Sequence, residues 1–179
     1  MGCWGITAFE SDDGLDSVEF IRKNISSDGK LELGKIIEMM QRENYRLYEV
    51  TDGVSHSCPM ALAEVIVKLT GQDFSDLDYD EEWAKNKSKF SSITSFPASK
   101  ESLQWLRDYL SDTLKYAKES AEFFQNWGGW FKEIDWHGWQ DHMLTLVSHL
   151  DTFLDSPGNQ IELLKPQQQE NGPVMDQTF

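Results

Sequence analysis

The chain has 179 residues, 39% of them hydrophobic and 12% aromatic, which suffices for one helical-size core with a tail, or at most two very small domains. The 16 Lys and Arg against 31 Asp and Glu give a formal net charge of -15. That field repels phosphate backbones and anionic bilayers, so nucleic acid and membrane are excluded as first-choice partners; an acidic face could attract a basic protein or a cation, and solubility is the simpler reading of the charge.

The first ten residues contain two glycines and no helical period, which predicts an irregular arm. Trp4 and Phe9 are large apolar rings expected to pin it to the core. Ser11, Asp12 and Asp13 are N-cap candidates, with Asp16 one turn later. Leu15, Val18, Ile21 and Ile25 follow at helical spacing, so a first helix is predicted to about residue 24.

Ser27-Asp28-Gly29 breaks the chain, and a second helix is predicted over 32–44 with Leu33, Ile36, Ile37 and Met40 on one face. Residues 45–54 read equally as an extension of that helix or a short extended piece. Ser57-Cys58-Pro59 starts a third helix, with Pro in the first turn where its missing N–H costs nothing. It is apolar nearly all round as far as Leu69, interrupted only by Glu64 and Lys68, and is expected to be the most buried. Gly71 is the expected stop.

Residues 72–80 read as an acidic loop, 81–90 as a short helix and 91–98 as a Ser-rich connection. The longest helix is predicted over 99–126, with Leu103, Leu106, Leu110, Leu114 and Ala117 on its inner face. An aromatic connector over 130–138 leads to a last helix over 139–154. Residues 161–164 form an apolar patch expected to dock back, and 166–179 a Gln-rich, mobile tail. The fold class is therefore all-α: a single compact domain of five to six helices over 1–164, with an irregular N-terminal arm and a flexible tail over 165–179.

Two cysteines, Cys3 and Cys58, make no disulfide framework and fit a cytoplasmic protein. No targeting signal or membrane-length apolar run is visible, and Ile6 stands where the myristoylation pattern wants Ser or Thr.

Asp12 and Asp16 are four apart on one helical face and could share a divalent cation, with His137 or His142 completing the set; capping and dipole compensation explain them more simply. Asp76, Asp78 and Asp80 resemble half of an EF-hand loop, but Glu81 and Lys87 stand where the turn glycine and bidentate glutamate belong. Cys58, two residues from His56 at a helix start, is a weak nucleophile candidate whose simpler reading is packing. Trp127, Trp130, Trp136 and Trp139 crowd into thirteen residues, the density of a binding surface or of a core. No phosphate-cradling loop, paired CxxC or nucleophile elbow is present, and no cofactor is expected.

Gly2, Trp4, Gly5, Phe9, Asp12 and Asp16 match an opening of the form MGxWGxGxFxNDxAxDF, and the chain thereby resembles an uncharacterised bacterial family, a domain of unknown function. Ala61 to Ile66 followed by Gly71, Glu119 to Glu122 followed by Trp127, and Trp139 with Leu146 and Leu150 extend the resemblance over most of 1–154. Ile6-Thr7-Ala8, Ser11 and Gly14 depart from it. The resemblance implies a single helical domain and carries no accepted activity, so no catalytic role transfers from it.

Three functions follow as expectations. The first is a non-enzymatic protein-binding module, immunity-like or antitoxin-like, for a basic partner, with Trp4, Phe9, Asp12, Asp13, Asp16, Trp130, Trp136 and Trp139 as binding residues. The second is a metal-dependent hydrolase built on Asp12 and Asp16 with a histidine. The third is a structural homodimer through the Trp-rich C-terminal helices.

Overall fold

The computed structural model describes residues 4–45, 47–52, 57–78, 89–124 and 133–164. Among these residues it is all-α with one small sheet: α1 (Asp12–Lys23), α2 (Leu33–Arg42), α3 (Ser57–Thr70), α4 (Lys100–Phe124) and α5 (Trp136–Leu154), with strands β1 (Pro97–Ser99) and β2 (Gln160–Glu162). None of these helices is long and apolar enough to cross a membrane.

The most apolar helix lies at the centre. Every residue of α3 from Ser57 to Ile66 is buried, and α3 packs on α1, α4 and α5. A helix with no polar face must be covered on all sides, and these neighbours cover it. Leu103, Leu106, Leu110 and Ala117 of α4 and Met143, Leu146 and Leu150 of α5 close the same core.

The ends follow local chemistry. Ser11 caps α1, its Oγ accepting the Gly14 N–H at 3.0 Å, so the cap is the serine and Asp12 and Asp13 are first-turn residues. α3 does stop at Thr70, but the left-handed residue that turns the chain is Gln72, with φ 57°, rather than Gly71. α5 begins three residues before the expected start, taking in Trp136 and His137.

Two differences from the sequence reading concern short pieces. β1 and β2 pair antiparallel with Ala98 opposite Ile161, although no strand was expected. The expected docking of 161–164 is carried by this pairing: Ile161 and Leu163 are buried, and the Glu162 carboxylate accepts the Phe96 N–H at 2.6 Å. Trp4 does not pin the arm, since 55% of it is exposed; its backbone N–H donates to the Glu10 carbonyl at 2.9 Å instead. Phe9 packs against the core as expected, and the fully buried arm residue is Ala8.

The short helix predicted over 81–90 falls mostly outside the described residues, as do Trp127, Trp130, Cys3, His56 and the tail.

Candidate functional site

Glu64 sits in the middle of the most apolar helix and is only 4% exposed. An ionised carboxylate there is costly unless hydrogen-bonded and paired. Both its oxygens lie 3.0 Å from the Ala8 N–H, which donates to them, and His142 Nε2 of α5 lies 2.6 Å from Oε1. One carboxylate therefore joins three elements: the arm, α3 and α5. Burial pushes the Glu64 carboxyl up from its ordinary value, opposed by the His142 hydrogen bond and charge, the Ala8 amide and the charge of Lys68.

Glu10 organises the arm itself. Its Oε2 accepts the N–H groups of Ile6 and Thr7 at 2.8 and 3.0 Å and the Thr7 hydroxyl at 3.1 Å. The Thr7 amide is the main cause that holds the Glu10 carboxyl below its ordinary value, with Ile6, the Thr7 hydroxyl and the charge of His142 adding to it against partial desolvation. The turn brings Ala8 so close to α1 that a Cβ on Gly14 would lie 1.7 Å from the Ala8 carbonyl oxygen, so only glycine fits there.

Between the arm, α3, α5 and the loop after α3 opens a cleft of about 930 Å³. Phe9, Leu15, Val67 and Leu146 form its apolar wall. Glu10, Glu64, Asp73, Asp76 and Asp78 supply five carboxylates, against Lys68 and the imidazole of His142. The Lys68 ammonium lies 3.3 Å from Asp76, 3.9 Å from Asp73 and 5.0 Å from the centre of the Phe9 ring. Asp78 accepts the N–H groups of Phe90 and Ser91 at 2.7 and 3.0 Å, which ties the loop to the chain after 88. Asp73 accepts from the hydroxyl and amide of Ser75, and these hold its carboxyl below the usual range, the hydroxyl first.

Carboxylates fixed by backbone donors make a preorganised negative surface with an apolar wall, suited to a cationic group on a carbon stem. An imidazole backed by a buried carboxylate is also a held proton acceptor, yet no described hydroxyl is hydrogen-bonded to His142.

Most residues singled out in the sequence lie elsewhere. Among the described members of the expected binding set, Phe9 alone lines the cleft; Asp12, Asp13 and Asp16 are exposed on α1, outside it. Trp139 is 1% exposed, a core ring rather than a binding surface, and the half-buried Trp136 stacks on it at 5.7 Å. The alternative metal set Asp12, Asp16, His137 and His142 is not assembled: among the described residues no group of three His, Cys, Asp or Glu side chains is placed to hold an ion, and His142 is engaged with Glu64. Cys58 is completely buried, with its Sγ 3.7 Å from Met40 Sδ, a packing position closed to substrate.

Glu64 and Lys68 were visible in the sequence only as interruptions of an apolar helix, and that was the signal: a glutamate on a face with no exit to water requires a partner. Its partners, Ala8 and His142, lie 56 and 78 residues away.

No protein-family model matches the chain, and no curated protein or solved structure matches it.

Proposed function

We propose that the protein is a non-enzymatic binding module that receives a basic protein partner at this cleft, in the manner of an immunity protein or antitoxin. The observation that carries the reading is the charge of the cleft: among the described residues five carboxyl groups face one lysine and one histidine, in a chain of net charge -15. Such a field speeds encounter with a basic surface and selects against acidic ones. The Glu10, Asp73 and Asp78 carboxylates are already ordered by N–H donors, so little is lost in arranging them on binding. The opening motif supports placing the chain with the bacterial family it resembles, and a cytoplasmic site of action follows from the same reading.

Affinity capture with the full chain at low and at high salt tests this. Basic proteins held at low salt, released at high salt and lost with an Asp73→Asn, Asp76→Asn, Asp78→Asn triple variant are the expected result. No basic protein captured at either salt would remove the reading.

A further inference from the structure

We infer that the anchor the cleft takes from its partner is an arginine side chain. This rests on the reading of the cleft as a binding surface for a basic protein and names the group recognised.

Two of the carboxylates in the cleft keep one oxygen without a protein donor among the described residues. Glu10 accepts its three hydrogen bonds on Oε2 alone, leaving Oε1 without a protein donor among the described residues. Asp76 meets Lys68 through Oδ2 alone, leaving Oδ1 in the same position. A carboxylate oxygen retains strong acceptor capacity, and both residues line the one cleft. A guanidinium carries five N–H donors in a planar fork that matches carboxylates in pairs, and it gives up water more readily than an ammonium. Lys68 is the internal precedent, since its ammonium already lies against carboxylates and over the Phe9 ring. That ammonium leaves most of the volume of about 930 Å³ unfilled. An arginine stem has an apolar surface to lie on in Phe9, Leu15, Val67 and Leu146.

The test is a titration of the isotope-labelled full chain with three blocked tripeptides, glycine–X–glycine with X arginine, lysine or norleucine, followed by amide chemical shifts. The arginine peptide is expected to saturate, with shifts confined to residues 7–10, 64–78 and 142–146, and to bind about tenfold more tightly than the lysine peptide. Asp76→Asn, which alters an exposed side chain and leaves the core untouched, is expected to weaken it about tenfold. Arginine and norleucine peptides giving equal shifts, or an arginine peptide giving none in the cleft, would overturn the inference. The two levels fail separately. A basic protein captured by the triple aspartate variant overturns the arginine anchor and leaves a basic partner standing; an arginine peptide that saturates the cleft when no basic protein is captured supports the anchor and removes the protein-binding reading.

Discussion

Glu64 and His142 meet at 2.6 Å across the α3–α5 seam, and the same glutamate holds the Ala8 amide of the arm. A buried carboxyl group hydrogen-bonded to an imidazole is seldom a net source of stability, but removing one member strands the other. Glu64→Ala is expected to cost about 3–5 kcal/mol, because it orphans a buried amide and an imidazole together. Urea unfolding measures this. A loss under about 1 kcal/mol would mean that the arm is held by something other than this carboxylate.

The two glutamates of the site have opposite pH dependence. Glu10 is held below its ordinary value of 4.5, so it adds stability above that value and loses it as pH falls through its folded value. Glu64 is raised above 4.5 by burial, so its contribution is fully present below that value and is lost as pH rises through the folded value. Glu10→Gln is therefore expected to flatten the acid limb of the stability profile. Glu64→Gln is expected to remove a decline that sets in above 4.5. Denaturant midpoints of wild type and both variants across acid pH check the two signs, and slopes of the same sign would contradict the assignment.

At the start of α1, the cap is Ser11 and the aspartates assist it. Ser11→Ala is expected to cost about 1 kcal/mol through loss of the Gly14 hydrogen bond. Asp12→Asn and Asp16→Asn remove charge near the helix start and are expected to cost about 0.3–1 kcal/mol at Asp12 and less at Asp16. Thermal unfolding of the three variants ranks them; equal losses would mean that the aspartates share the cap.

Gly14 is where α1 and the arm touch. A Cβ would stand 1.7 Å from the Ala8 oxygen and 2.4 Å from its carbonyl carbon, and backbone atoms cannot swing aside as a side-chain end can. Gly14→Ala is expected to cost about 1–3 kcal/mol despite alanine's better helix propensity, and to shift the Ala8 and Glu64 signals together. A stabilised variant would mean that the arm follows another path.

Much of the fold was readable from periodicity. Leu33, Ile36, Ile37 and Met40 mark α2, and the continuous apolar surface from Cys58 to Leu69 marks α3 as the central helix. The β1–β2 pair was not readable: two strands of three residues each, far apart in the chain, are too short to show alternation. The site was harder still. Asp12, Asp13 and Asp16 drew attention because they are adjacent in sequence, yet they are a helix start. The cleft takes Glu10 from the arm, Glu64 and Lys68 from α3, Asp76 from the following loop and His142 from α5. Such a constellation forms only once the helices pack, and local spacing carries no trace of it. Trp4 and Trp139 show the same limit from the other side, since an aromatic ring reads alike in sequence whether it is exposed or, as in Trp139, buried.

The most direct test of the carboxylate-lined cleft as the binding site is the hydrogen-exchange footprint of the chain in complex with a basic protein captured at low salt. Slowed exchange at residues 7–10, including the Ala8 amide held by Glu64, and at 64–78 and 142–146 is the predicted result. Protection on another face, with the Ala8 amide and the 73–78 loop exchanging as in the free chain, would contradict it.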